Sequence, residues 1–454
     1  MSLKFGTDGV RGLANSELTP ELALALGRAA GRLLGPGPWM VGRDTRISGP
    51  LLHAALAAGL AAEGAAVIDL GVAPTPAVAS ACAQRGLPGA VISASHNPFA
   101  DNGIKLFAAG GRKLPDDVEE RLEAALAAPP GADAPVGAGV GVLGTDASML
   151  GEYGDRLLAA LEGRRLRGME VVLDCANGAA TQVAPDVFRR AGARVTVLHA
   201  EPDGTNINAA CGSTHPQSLQ QEVRRRPGTA LGLAFDGDAD RVLAVDAGGE
   251  LVDGDQILAM AALDLRLRGR LAADTVVVTV MSNLGFRLGM EAAGIHVVQT
   301  QVGDRYVLEA LAAGGYSLGG EQSGHVIFSD LATTGDGILT GLLLSDLVCR
   351  QGRPLAELAS AAMTRLPQVL RNVKVAEREA LATAPQIWAE VHAVEAELGH
   401  EGRVLLRPSG TEPLVRVMVE ARTQAVAEAA VERIAAAVLS ALGPAASAAR
   451  AAQP

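Results

Sequence analysis

The chain has 454 residues, enough for three or four domains of ordinary size, each with its own core. Its 39 Lys+Arg against 50 Asp+Glu leave a net charge of −11, which argues against a broad cationic surface for nucleic acid or an anionic membrane, so a phosphate-bearing partner must be met by a local site. With 48% apolar residues, 20% charged residues and 54 glycines, it is composed as a folded α/β chain of many short elements and tight turns.

Apolar periodicity predicts a helix near Pro20–Leu34, a strand at Trp39–Gly42, a helix near Leu51–Glu63, and strands at Ala66–Leu70 and Gly89–Ser93. From Pro129 to Gly144 prolines and glycines break every period, and the stretch reads as a linker or surface ribbon at a domain boundary. The rhythm resumes with Val171–Asp174, Thr181–Ala191, Arg194–Leu198 and Leu231–Phe235. A third round runs through Thr275–Val280, Asn283–Ala293, Val297–Thr300, Tyr306–Ala312 and Tyr316–Gly319. Such alternation predicts mostly parallel sheets covered by helices on both faces. After Pro367 the character changes to a smaller α+β domain, with helices at Trp388–Leu398 and Ala425–Leu442 and strands at Arg403–Leu406 and Val415–Glu420. The expected domains are 1–145, 146–252, 253–366 and 367–443, with a fraying tail at 444–454.

Cys82, Cys175, Cys211 and Cys349 lie far apart, with neither zinc-site spacing nor a disulfide framework, which suits a reducing cytoplasm. The N-terminus has no apolar signal region and no run approaches 18 apolar residues, so a cytoplasmic protein without an anchor is expected.

Each α/β round sends a polar loop off a strand end. In Ser93-Ala94-Ser95-His96-Asn97-Pro98, a serine just past a strand is held exposed where a phosphoryl group can pass to and from its hydroxyl; alone, the segment also reads as a turn rich in cap formers. In Asp236-Gly237-Asp238-Ala239-Asp240-Arg241, three carboxylates at i, i+2 and i+4 project to one side and suit a divalent cation such as Mg²⁺. An EF-hand requires glycine at the sixth loop position and glutamate at the twelfth, where this chain has Arg241 and Ala247. The nucleophilic aspartate loop of haloacid-dehalogenase phosphatases fits poorly as well, because Asp240 stands where that pattern turns to Thr or Val.

In Gly319-Gly320-Glu321-Gln322-Ser323-Gly324-His325, glycines let the backbone approach a ligand, and Glu321, Ser323 and His325 alternate so that all could face one polyhydroxylated molecule; alone, it is also a hairpin turn. Arg407-Pro408-Ser409-Gly410-Thr411-Glu412-Pro413, with Arg416 beyond, has the arginines, hydroxyls and glycine turn of an anion nest. No Walker phosphate loop occurs. Phe5-Gly6-Thr7-Asp8-Gly9-Val10-Arg11-Gly12 adds Arg11 on a further glycine-rich loop.

Together, FGTDGVRG at 5–12, SASHNP at 93–98, DNGIKLF at 101–107, DGDADR at 236–241, GGEQSGH at 319–325 and RPSGTEP at 407–413 resemble the α-D-phosphohexomutases, in this order and over essentially the whole chain. The resemblance implies four domains around a central cleft, the first three sharing a mixed α/β sheet fold and the fourth a smaller α+β domain. It implies that Ser95 is a phosphoserine and that Asp236, Asp238 and Asp240, with a Ser95 phosphate oxygen, hold one Mg²⁺ ion. Arg11 and Lys105 would flank the phosphoserine, with Lys105 as general base. Arg241 would contact the transferring phosphate or the substrate. Glu321 and Ser323 would bind sugar hydroxyls, and His325 would assist proton transfer. Arg407, Ser409, Gly410, Thr411 and Arg416 would clamp the phosphate that is not reacting.

The implied reaction interconverts glucosamine 6-phosphate and glucosamine 1-phosphate, with glucose or glucosamine 1,6-bisphosphate as primer or intermediate, for UDP-N-acetylglucosamine and cell-wall precursors. Gln322, where glucose- and mannose-handling relatives commonly carry Met, and GTDGVRG favour the amino sugar over the alternative phosphomannomutase/phosphoglucomutase activity. The expected partner is a small hexosamine phosphate, with no nucleic acid and no membrane, and the resemblance allows a homodimer. A sugar-phosphate-binding protein without catalysis would be expected to have lost Ser95 or the aspartate triplet, and both are present.

Overall fold

The structure is a computed structural model that describes residues 9–126, 134–146, 148–409 and 413–443. Met1–Met281 with Ala293–Ala362 form one compact unit, and Ser282–Ala292 with Met363–Pro454 form a second.

The first unit begins with β1 (Val10–Leu13), α1 (Pro20–Leu34), β2 (Trp39–Arg43), α2 (Gly49–Ala62), β3 (Val67–Val72), α3 (Thr75–Arg85), β4 (Gly89–Ile92), β5 (Asp101–Phe107), α4 (Asp116–Leu126), β6 (Leu143–Thr145) and α5 (Ser148–Ala159). The six strands order as β1-β5-β4-β2-β3-β6, parallel from β4 to β6 and antiparallel at β1 and β5. The two-residue period of β2 builds both faces: Trp39 and Val41 enter the core beneath α1 and α2, and Met40 enters the one with Val78 and Cys82 of α3. Helices α1 and α2 touch backbone to backbone, since a Cβ at Gly27 would lie 2.3 Å from Leu56 O and one at Gly59 2.2 Å from Leu24 O.

A second sheet follows from β7 (Glu170–Asp174), α6 (Ala180–Ala191), β8 (Arg194–Leu198), α7 (Gln217–Arg225), β9 (Thr229–Phe235), β10 (Val242–Asp246) and β11 (Leu251–Val252), ordered β11-β10-β9-β7-β8. The third uses α8 (Gly254–Leu267), β12 (Thr275–Thr279), α9 (Leu284–Ala292), β13 (His296–Thr300), α10 (Asp304–Gly314), β14 (Leu318–Gly320), β15 (Val326–Phe328), α11 (Gly337–Gln351) and α12 (Leu355–Ala362), with strand order β13-β12-β14-β15. Asp253 and Gln256 start α8 with a reciprocal capping box, and Asp336 caps α11 by accepting from Leu339 N at 2.9 Å.

All three sheets solve the same local problem in the same way. A strand of the parallel core (β4, β9 or β14) runs into a polar loop and the chain returns antiparallel as β5, β10 or β15. Each loop is therefore tied to a sheet at both ends. The sheets are mixed rather than mostly parallel, because strand–helix alternation says nothing of a strand that returns directly across a loop.

The second unit carries the antiparallel sheet β16 (Gln368–Lys374), β18 (Leu414–Glu420) and β17 (Arg403–Pro408), packed on α13 (Pro385–Leu398) and α14 (Gln424–Leu442). Helix α9 belongs to this unit through a buried carboxylate. Glu420 is fully buried, pairs with Arg403 Nε and Nη2 at 3.0 Å each, and accepts Leu284 N at 2.8 Å, one of the N–H groups that α9 leaves unsatisfied.

Two expectations change. The stretch read as a linker instead supplies β6, parallel to β3 with Leu143 opposite Val67; a Cβ at Gly141 would lie 1.9 Å from Ala65 O, so the glycine serves close packing. Residues 129–133 of that stretch lie outside the described residues, as does the tail at 444–454. Arg11, read as part of a loop, stands on edge strand β1 opposite Gly103, while 5–8 lie outside the described residues. All four cysteines are free, three buried and Cys349 exposed. Among the described residues no helix is long and apolar enough to cross a membrane.

Candidate active site

The loop after β4 does not leave Ser95 exposed; its residue exposure is 1%. Ser95 has φ +51°, a left-handed conformation uncommon for a side chain with a Cβ, and a dense network over-determines it. Arg46, itself 1% exposed, donates from Nη2 to Ser95 O at 2.9 Å and Asn97 O at 2.8 Å, and from Nη1 to Asp101 O at 2.9 Å and to Pro98 O. Asn208 Nδ2 donates to Ser95 O and Asn97 O at 2.9 and 3.1 Å. Asp44 balances Arg46 at 2.9 Å and accepts Ser93 Oγ at 2.6 Å, and Ser93 Oγ in turn accepts Ser95 N at 2.9 Å. The carbonyls of Ser95, Asn97, Pro98 and Asp101 thus each have a side-chain donor.

The second loop meets the first at the serine hydroxyl. Ser95 Oγ donates to Asp236 Oδ2 at 2.6 Å, and Gly237 lies against the serine backbone so closely that a Cβ there would be 2.5 Å from Ser95 O. Asp238 Oδ2 accepts Thr75 Oγ1 at 2.6 Å and Lys105 Nζ at 2.9 Å, and Asp240 Oδ2 lies 3.4 Å from the same ammonium. Arg241 donates its backbone N–H to Asp236 Oδ1 at 3.2 Å and sets Nε 3.8 Å from Asp240 Oδ1.

Burial, then the charges of Asp240 and Asp238, push the Asp236 carboxyl well above the usual carboxylate range. Asp240 moves the other way: burial opposes its charge, but Lys105, His325 and Arg241 outweigh that and hold it well below the usual range. His96, 3.3 Å from Ser95 Oγ through Nδ1, is lowered to about 4 by burial and by the cations Arg241 and Arg11.

The third loop contributes at its two ends differently. Glu321 accepts Gly303 N at 3.2 Å and Ser323 Oγ at 3.4 Å, whereas His325 turns inward and is 1% exposed. Its Nε2 accepts Gly335 N at 3.1 Å, which leaves the proton on Nδ1, 3.7 Å from Asp240 Oδ2. The strict alternation expected for Glu321, Ser323 and His325 is broken by the tight turn, with Gly324 N donating to Glu321 O at 3.0 Å. Gln322 Nε2 lies 3.3 Å from Asp253 Oδ2, beside the cap of α8.

Ser95, Lys105, Asp236, Asp238, Asp240, Arg241 and His325 are therefore joined in one cluster, with the charge of Glu321 acting on both Arg241 and His325. Arg11 reaches the same loop, donating to Ala94 O at 3.5 Å. In the second unit, Arg407 and Arg416 stand opposite each other on β17 and β18, and Ser409 N donates to Leu414 O at 2.9 Å. Gly410 and Thr411 lie outside the described residues.

The aspartate triplet fits a divalent cation. Each residue offers one carboxylate oxygen within 4.8 Å of the others, all are buried, and Asp238 Oδ1 and Asp240 Oδ1 have no hydrogen-bond partner. Buried carboxylate oxygens without a donor are costly unless a cation satisfies them.

Four family models for phosphoglucomutase/phosphomannomutase match the chain: α/β/α domain I over residues 2–130, α/β/α domain II over 152–249, α/β/α domain III over 253–366 and the C-terminal domain over 370–437. The chain belongs to the phosphoglucomutase/phosphomannomutase family. The resemblance carried by its loops is borne out. Similar relatives include the phosphoglucosamine mutases of Frankia alni, 59% identical over 97% of this chain and 99% of that one, and of Rhodococcus opacus, 56% identical over 97% and 100%. Among solved structures, a phosphoglucomutase/phosphomannomutase family protein from Burkholderia thailandensis aligns with TM-score 0.81 at 26% identity, covering 98% of both chains. N-acetylphosphoglucosamine mutase of Aspergillus fumigatus, in complex with GlcNAc-6P and magnesium, shares the fold at TM-score 0.70 and 20% identity over 97% and 96%.

Within this phosphohexomutase site, Asp44, Arg46, Thr75 and Asn208 were not singled out by the sequence. Arg46 precedes Ser95 by 49 positions and Asn208 follows it by 113, and no local pattern links such distances. One signal was available: Arg43-Asp44-Thr45-Arg46 is another polar run at the end of a core strand, β2.

Proposed function

We propose that the chain is a phosphoglucosamine mutase, interconverting glucosamine 6-phosphate and glucosamine 1-phosphate through a phosphorylated Ser95 and a 1,6-bisphosphate. The observation that carries the reading is the 2.6 Å contact between Ser95 Oγ and Asp236 within a buried triplet built for a cation. The whole-length similarity to phosphoglucosamine mutases supports the amino sugar.

In the forward half-reaction the Oγ–P bond of phosphoserine breaks as a bond forms between phosphorus and O1 of the 6-phosphate, whose hydroxyl gives up its proton. The bisphosphate then turns, and Ser95 Oγ recovers a phosphoryl group from O6. Asp236, Asp238 and Asp240, with a phosphate oxygen on Ser95, would hold one Mg²⁺, which when bound polarises the phosphoryl group and offsets its charge. Arg11, which donates to Ala94 O beside the serine, and Arg241, whose Nε lies 3.8 Å from Asp240, bring positive charge to the transferring group. Lys105, once its ammonium has given up a proton to leave the neutral amine, would accept the proton of the sugar hydroxyl; the carboxylates that favour the ammonium are those a cation would engage. Glu321 and Ser323 orient the sugar hydroxyls, and Arg407, Ser409, Gly410, Thr411 and Arg416 hold the distal phosphate. His325, buried beneath Asp240, keeps that carboxylate ionised and aimed. The ligand is a small hexosamine phosphate and the compartment the cytoplasm.

The test is kcat/KM on glucosamine 6-phosphate, glucose 1-phosphate and mannose 1-phosphate with Mg²⁺ and a bisphosphate primer, beside Ser95→Ala. The amino sugar should win by about tenfold or more, near 1.4 kcal/mol in the transition state, and Ser95→Ala should be folded and inactive. A preference for neutral hexoses would overturn the substrate, and an active Ser95→Ala would overturn the mechanism. Removing divalent cations with a chelator should abolish turnover, and Mg²⁺ should restore it.

A further inference from the structure

Helix α3 begins in a way that ties it to the aspartate loop. Its cap position, Pro74, offers no side-chain acceptor. Within its first turn Pro76 has no N–H, and Ala77 N and Val78 N both return to Pro74 O, at 2.9 and 3.2 Å. Thr75 N instead donates to Asp238 O at 2.9 Å, across 163 positions and from the first α/β round to the second. A second helix start braces the next residue of the loop, where Gly337 N of α11 donates to Ala239 O at 3.0 Å.

The backbone bond fixes where the Thr75 side chain stands, and its branched Cβ restricts how that side chain can turn. Thr75 is 2% exposed, and its Oγ1 donates to Asp238 Oδ2 at 2.6 Å. Lys105 Nζ donates to the same oxygen at 2.9 Å. Both donors thus take Oδ2, and Oδ1 of the same carboxylate is left buried with no hydrogen-bond partner. The two donors differ in kind. Lys105 reaches Oδ2 on a flexible four-carbon stem and, in the proposed reaction, works at the sugar hydroxyl; the Thr75 hydroxyl has no charge to lose and is anchored by a helix.

We propose that Thr75 is a positioning residue for the cation, whose hydroxyl holds Asp238 Oδ2 so that Oδ1 stays turned out as a ligand. The inference rests on reading the aspartate triplet as a Mg²⁺ site. It makes the first α/β round, through the start of α3, responsible for the aim of a ligand that the second round supplies.

The test is Mn²⁺ binding to the full chain, followed by the paramagnetic resonance of the free ion, with Ser95 phosphorylation matched between variants by intact mass. Wild type should bind one ion, and Asp238→Asn should lose most of that affinity. Thr75→Val keeps the side-chain shape and the Thr75 N bond to Asp238 O but has no hydroxyl. Its Mn²⁺ dissociation constant should rise about ten- to a hundredfold, the usual cost of losing a partner that orients a metal ligand. Thr75→Ala, the second variant without a hydroxyl, should weaken binding as well, and Thr75→Ser should restore affinity close to wild type. Melting in chelator shows that each variant is folded; a hydroxyl that only supported packing would lower the melting temperature and leave Mn²⁺ affinity where it was. Unchanged affinity in a folded variant without the hydroxyl, or a Thr75→Ser chain as weak as Thr75→Val, would overturn the role of Thr75 while the loss in Asp238→Asn still reports the site. A wild-type chain that binds no Mn²⁺, or an Asp238→Asn chain that binds as wild type does, would overturn the metal reading and this inference with it.

Discussion

In the proposed reaction Ser95 presents one oxygen to two different substrate positions without drifting, and the residues that hold it are not those assigned to the chemistry. Asn208 donates to Ser95 O and Asn97 O, both of which Arg46 also serves, so its loss leaves no carbonyl without a donor but loosens the loop. Asn208→Ala should therefore lower kcat by about ten- to a hundredfold, the range expected for slight misplacement of a reacting group. KM and melting temperature should stay near wild type; a rise in KM alone would instead make Asn208 a substrate contact. The residues proposed to react could be read from the sequence because each stands in a short run of unusual composition. Arg46 and Asn208 could not, because hydrogen bonding to a distant main chain leaves no local pattern.

At the scale of elements, the paired strands around each loop decide what can be read. Core strands such as β2 and β9 announce themselves by continuous apolar runs, and the sequence expected both. The three-residue strands β6 and β15 have no period to detect; β6 adds a parallel strand, whereas β15, like the returns β5 and β10, is antiparallel, and without these returns the sheets read as more parallel than they are. Helix α9 was legible as a helix, but its attachment was not: it lies in sequence between β12 and β13, yet Glu420 of β18 accepts its first N–H. Glu420→Gln should cost the second unit about 3 kcal/mol, because Arg403 loses its buried counter-charge. Trp39 stands in the first unit and Trp388 in the second, so fluorescence in urea can separate the two. In a Trp39→Phe background the Trp388 transition should move to lower denaturant; an unmoved transition would assign no stability to the pair.

For the whole molecule, the clearest pH signature lies outside the reaction site. Burial pushes the Asp336 carboxyl from 3.8 to about 6, against the hydrogen bonds it accepts from the α11 backbone and from Tyr153. The folded chain thus holds this proton more tightly than the unfolded chain does. The stability it contributes is fully present below 3.8 and is lost as pH rises through about 6. Melting temperatures measured across that window should show wild type losing ground to Asp336→Asn as pH rises, and a constant difference would refute the assignment. The four-part organisation was legible because three α/β rounds and one changed tail recur at the scale of tens of residues, which single side chains cannot obscure.

Burial raises all four thiols, those of Cys82 and Cys211 to about 12 and that of Cys175 higher still, but Cys349 alone is exposed. A maleimide dye added under mildly alkaline conditions should therefore couple at one place without any cysteine having to be engineered away. That place lies near the end of α11, the helix whose first residue, Gly337, donates its N–H to Ala239 O in the aspartate loop, so the native protein comes equipped for an optical assay in which dye emission, rather than turnover, reports changes along that helix.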